Sequence, residues 1–170
     1  MGAQDRVFRH SLFSERLKRQ QLGDVMSVES RPARLVERFY NEVWNCADEA
    51  AAHEILHADF SFRGSLDAEK SGPHGFVDYM RAVHAALGEY RCEIVDLLET
   101  DLRVAARMRF VGRHQGVFFG VAATGRLIEW TGAAFFTTNR IQITDLWVLG
   151  DIDAVKKQLG VHADAGFEAS

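Results

Sequence analysis

The sequence predicts an α+β fold: a cone-shaped, curved antiparallel sheet with helices packed on its concave face. Apolar residues recur at helical spacing in the first half of the chain, between about Pro32 and Leu87. From Tyr90 onward the pattern changes to strand-like runs joined by short connections, which favour antiparallel neighbours. The last run, Ile141–Leu149, ends at Gly150-Asp151 and leads into a short helix. A sheet of this kind encloses a pocket, so the pattern constrains the sort of site more than it names a chemistry.

Ser30-Arg31-Pro32 reads as a helix start, a cap-type Ser followed by Pro in the first turn. The helix is expected to run to Trp44 and to bury Leu35, Val36, Phe39, Tyr40 and Val43. A second helix covers Asp48–Leu56 and is broken by His57-Ala58-Asp59. Phe60–Arg63 is a short strand with Phe60 and Phe62 on one face. Gly64–Gly75 is read as a loop and Gly75–Leu87 as a third helix.

Strands follow at Tyr90–Leu98, Val104–His114, Leu127–Thr138 and Ile141–Leu149. In the second of these Val104, Ala106, Met108, Phe110 and His114 share a face, and Arg107, Arg109 and Arg113 share the other. In the third, Ile128, Trp130, Gly132, Ala134 and Phe136 alternate with Leu127, Glu129, Thr131, Ala133 and Phe135. Both of its faces are largely apolar. Helices cover only one, so a second copy of the chain is expected on the other, giving a homodimer. Asp151 caps a closing helix, Ile152–Leu159, and Gly160 ends it.

Three parts follow: a flexible extension over residues 1–30, one domain over 31–160, and a loose tail over 161–170. The extension is basic at its start and could form a short amphipathic helix at a membrane surface. An untied chain end is the simpler reading, and Met26 is a candidate start. The net charge of −4 gives no overall pull toward nucleic acid or an anionic membrane. No apolar run reaches membrane-spanning length and the N-terminus lacks the apolar core of a secretory signal, so a cytoplasmic protein is expected.

Cys46 and Cys92 have no metal-ligand spacing and are too few for a disulfide framework. His53 and His57 have metal-like spacing without a third ligand and read as surface histidines. No phosphate loop, nucleophile elbow or dinucleotide fingerprint is present, so neither a metal nor a cofactor is expected. Twelve Phe and three Trp suit a pocket for a flat apolar ligand, or simply fill a core.

Gly112-Arg113-His114-Gln115-Gly116, then Phe119-Gly120, then Thr124-Gly125-Arg126, resemble the SnoaL-like polyketide cyclases and ester cyclases of the nuclear transport factor 2-like superfamily. So do Asp59–Gly64 and the ending Leu146–Gly160, and the resemblance covers about residues 31–160. It implies a concave-face pocket for a small apolar or polyketide-like molecule, and dimerisation through the outer face. It also implies an aldol ring closure in which an acid on the last strand moves the proton. A His on the preceding strand and an Asn near the first strand position the enolate.

The corresponding places here hold Val148, Phe136 and Phe62, none of which transfers protons. The resemblance therefore implies a substrate pocket lined by Phe62, Trp130, Phe136 and Val148, and His74 and Tyr79, which flank the loop-to-helix entry, could gate it. His114 is left as the catalytic candidate, set against a purely structural role. Glu129 and Asp145 are expected on the outer face, paired with Arg107 or Arg109. Two functions stand open. One is a cyclase-like or isomerase-like enzyme working by proton transfer on a ring-forming substrate. The other is a non-catalytic dimeric binding or scaffold module with a filled cone.

Overall fold

The computed structural model describes residues 31–65 and 69–161. The expectations for the N-terminal extension, the Ser30 cap and residues 162–170 lie outside the described residues.

Helix α1, Pro32–Arg38, opens with Pro in its first turn and continues into a π-helical segment, Phe39–Trp44. Phe39, Tyr40, Val43 and Trp44 are all buried in that segment and form one apolar stripe along it. Helix α2, Glu49–Ile55, begins at Asp48, whose carboxylate accepts the Ala51 N–H at 3.0 Å.

Strand β1 is Leu56–Arg63, longer than expected. His57-Ala58-Asp59 does not separate helix from strand but lies within β1, where the pairing with β6 shifts register between Leu56 and Ser61. The segment read as a loop holds β2, Glu69–Ser71, and the first turn of α3, Gly72–Ala86. Strands β3, Leu87–Glu99, β4, Arg103–His114, β5, Leu127–Thr138, and β6, Ile143–Gly150, follow as expected, with ends shifted by a few residues. Helix α4, Ile152–Leu159, closes the domain. Asp151 accepts the Ala154 N–H at 3.0 Å, and Gly160 takes the left-handed φ of 79° that ends such helices.

The sheet order is β2-β1-β6-β5-β4-β3. Every neighbouring pair is antiparallel except β1 and β6, which run parallel. The α+β class is as expected, but the sheet is mixed. Short connections dictate antiparallel pairing only between strands adjacent in sequence, and β1 and β6 are far apart in the sequence.

Met108, Phe110, Ile128, Trp130, Ala134, Phe136 and Leu146 form the buried face, packed against Phe39, Tyr40, Phe76 and Met80 from the helices. Gly132 pairs with Gly150, and a Cβ on Gly132 would fall 2.7 Å from the Leu149 carbonyl oxygen. Only glycine permits that approach.

On the opposite face Arg109 grips both oxygens of Glu129 at 2.6 and 2.7 Å and reaches Glu93 at 2.8 Å. That is the cross-strand pairing expected for Glu129. Asp145 shares strand parity with Trp147 and Leu149 on this face. Beside the ion pairs runs an apolar band: Leu98 pairs with Ala105, Ala105 with Phe135 and Phe135 with Trp147. Phe135 and Leu149 are 51% and 54% exposed in the single chain.

Candidate ligand pocket

Two small cavities lie between the concave face of the sheet and the helices. One, of about 40 Å³, is lined by residues that include Phe62, Tyr79, Tyr90, Phe110, Leu146 and Val148. The other, of about 30 Å³, is lined by residues that include Val83, Leu87, Phe118, Trp130 and Val155. Ser65, Tyr79 and Tyr90 wall both, so these three side chains divide one interior space.

Sequence parity explains who faces inward. Phe62 lies on the buried side of β1 and its ring stands 5.0 Å from that of Tyr79 on α3. Trp130 on β5 packs against Phe110 at 5.3 Å and Tyr90 at 5.9 Å between ring centroids. The polar atoms gather where the parallel strands β1 and β6 end. A Cβ on Gly64 would lie 3.0 Å from the Tyr79 hydroxyl; one on Gly150 would lie 2.9 Å from Ser65 Oγ and 3.1 Å from Trp130 Nε1. These are neutral hydrogen-bonding groups around two glycines.

Burial pushes the Tyr79 phenol up to about 12, and those of Tyr40 and Tyr90 well above the ordinary value. Burial also raises the Cys92 thiol, against a smaller opposing effect of its hydrogen bond with Tyr90. All four stay protonated at neutral pH. No Asp, Glu, His, Lys or Arg is among the described residues that line either cavity. The arrangement can exclude water, stack on a flat ring and donate a few hydrogen bonds. It holds no charged acid–base pair.

The expected site residues separate. Phe62, Tyr79 and Val148 line the larger cavity, and Tyr79 and Trp130 the smaller. Phe136 lines neither: it is 1% exposed, with its ring 5.5 Å from Phe39 and 5.8 Å from Tyr40. His114 also lies outside both linings. It is fully buried, Nδ1 is 2.9 Å from Thr124 Oγ1, and Nε2 has no hydrogen-bonding partner. The Thr124-Gly125-Arg126 motif is what seats it. Gly125 N–H donates to the His114 carbonyl and His114 N–H donates to the Arg126 carbonyl, both at 2.9 Å.

Sequence reasoning missed Tyr90, Ser65 and Phe118. Tyr90 was legible from its alternation with Cys92 on β3. Phe118 was not, because its place depends on a tight turn over Phe119 and Gly120 at φ 49° and 73°, closed by two Phe118–Val121 bonds of 3.0 Å.

A separate, open cleft of about 400 Å³ lies at the other end of β1, lined by His53, Leu56, His57, Ala58, Pro73, His74 and Gln142. His57 is on β1 and not on the helix that carries His53. Among the described residues no group of three or more His, Cys, Asp or Glu side chains is placed to hold a metal ion.

Solved structures share this fold at low identity. AclR from Streptomyces galilaeus, a candidate hydroxylase, is 21% identical at TM-score 0.68, over 79% of this chain and 88% of its own. A SnoaL-like candidate polyketide cyclase from Jannaschia Sp. CCS1 is 16% identical at TM-score 0.70, over 78% and 93%. IdmH from Streptomyces antibioticus, a candidate polyketide cyclase, is 22% identical at TM-score 0.68, over 76% and 99%. No curated protein matches the sequence. Among the described residues no helix is long and apolar enough to cross a membrane. A family model described as SnoaL-like polyketide cyclase matches residues 34–159, which span every strand and all but the first two residues of α1. On that match, and on a fold that agrees with it, the chain belongs to the SnoaL-like polyketide cyclase family.

Proposed function

We propose that this chain is a small-molecule pocket protein that takes a flat, apolar or polyketide-like compound between the sheet and α3. It does not use the aldol route its family resemblance implies. The observation that carries this reading is the cavity lining: aromatic and aliphatic walls, neutral phenol, indole and hydroxyl groups, and no ionisable acid or base near neutral pH. Such a site recognises shape and a carbonyl or hydroxyl on the ligand's edge. Proton transfer, if the chain performs it, falls to His114, whose Nε2 is buried without a partner. The functional unit is a homodimer in the cytoplasm, joined through the apolar band around Phe135 and Trp147.

Cavities of about 40 and 30 Å³ hold a water molecule or two each, so a tricyclic ligand enters only if Tyr79, which walls both, moves aside. The same small volumes favour a second reading, a non-catalytic dimeric scaffold whose cone is simply filled. Native mass spectrometry of the full chain purified from the cells that make it separates the two. A bound compound of a few hundred daltons supports the pocket, and a ligand-free dimer supports the scaffold.

A further inference from the structure

We propose that His53 and His74 form a two-histidine binding site for a divalent transition-metal ion of the nickel, copper or zinc type. The site lies in the open cleft at the start of β1. The polar end of the interior cavities, at Gly64 and Ser65, lies past the far end of that eight-residue strand, roughly 25 Å away, so the two sites are separate.

His53 sits in the last turn of α2 and His74 in the first turn of α3. Their ring centroids are 4.5 Å apart with planes at 62°. Neither ring has a hydrogen-bonding partner among the described residues, and both are exposed. Two unengaged imidazoles from two different helices thus meet at the wall of a water-accessible cleft. An ion bound at ~2.0–2.1 Å to a ring nitrogen lies roughly 3.2 Å from that ring's centre, so two rings sharing one ion have centres about 4.5–5.2 Å apart. The observed 4.5 Å separation falls at the near-right-angle end of that range. Rotation of the exposed rings about χ2 converts their edge contact into chelation without moving either helix. Imidazole pairs of this kind select borderline ions over calcium or magnesium.

His57 lines the same cleft but is not a ligand. Its Nδ1 accepts the Asp59 N–H at 3.1 Å, which places the ring proton on Nε2 and leaves no lone pair there for a metal. Its Nε2–H is available to a water or anion on the ion. Leu56, Ala58 and Pro73 supply no side-chain ligand, and Gln142 is held by its Nε2 donating to the Glu54 and Leu56 carbonyls at 3.0 and 3.2 Å, so the remaining coordination positions are assigned to water.

The test is calorimetric titration of the full-length chain with Cu²⁺, alongside electron paramagnetic resonance of the loaded protein. His10 and His162 lie in the terminal segments, so the informative quantity is the change from parent to variant. His53→Ala and His74→Ala should each weaken the tightest site by at least about tenfold, and His57→Ala by less than about twofold. The nitrogen hyperfine pattern should fall from two imidazoles to one in either of the first two variants. His53→Gln and His74→Gln serve in place of an alanine variant that loses its far-ultraviolet dichroism. The proposal is overturned if the His53/His74 double variant binds as tightly as the parent, or if His57→Ala alone abolishes the site.

Discussion

Phe136 meets Tyr40 edge to face, with ring centroids 5.8 Å apart and planes at 88°. Phe136 stands where the family resemblance puts an enolate-positioning histidine, and here that place is part of the aromatic core. The pair links the fold to the function: the side chain at this place is packed against the π-helical segment and carries stability.

Replacing Phe136 by Ala should therefore cost about 3–5 kcal/mol, the usual range for deleting a fully buried ring. Urea denaturation of parent and variant measures it. A loss under about 1 kcal/mol would mean that the site relaxes around the gap and that Phe136 is not a keystone of the core.

Val148→Asp tests the dryness of the larger cavity. Burial raises the folded-state pKa of a carboxyl without a partner above its unfolded value. Its penalty is absent below the unfolded pKa, near 4, and grows as pH rises toward the folded value. The variant should lose roughly 1–3 kcal/mol at pH 7 and much less at pH 4. Equal melting temperatures for parent and variant at pH 7 would place position 148 in water.

All three tyrosines of the chain are shifted upward by burial. The native protein at pH 10 should therefore show almost no phenolate absorbance near 295 nm, whereas the urea-unfolded chain should show three half-ionised phenols. Stability from these groups is fully present below the unfolded pKa near 10 and is lost as pH rises toward the folded values, about 12 for Tyr79. One or more phenols titrating normally in the native state would mean that the cavities are wet.

Phe135 and Trp147 stand 5.8 Å apart between ring centroids on the outer face. If that band joins two copies, Phe135→Glu should convert a dimer of 19.1 kDa chains into monomers with little change in monomer folding. Sedimentation velocity of parent and variant at micromolar concentration decides it. A parent that is already monomeric removes the dimer.

The parts of the molecule legible in sequence are those fixed by local chemistry or strict alternation. Asp151 and Gly160 mark both ends of α4 because a carboxylate cap and a left-handed glycine are needed wherever the helix sits. The Arg109–Glu129 pairing followed from strand parity. What was not legible depends on distant pairing. β1 reaches back through His57-Ala58-Asp59 to Leu56, which pairs with Ile143 of β6, and this parallel β1–β6 contact has no local signature. The i, i+4 spacing suggested His57 as the partner of His53. The chain leaves the helix at Leu56, and His74 takes that place from another helix. Phe136 reads as a pocket residue because the family resemblance puts a site residue at its place on the concave face. Whether a concave-face ring lines space or fills it depends on the π-helical segment packed against it, which strand parity cannot see.

The central claim is that the interior binds an apolar ligand with no titrating acid or base. The most direct measurement is the dissociation constant of 9,10-anthraquinone, a neutral flat diketone, followed by quenching of the Trp44 and Trp130 fluorescence from pH 5 to pH 9. The account predicts saturable binding whose affinity stays within about twofold across that range, because the lining groups hold their protons throughout. An affinity that changes by about tenfold with pH, or no saturable binding at any pH, would contradict it.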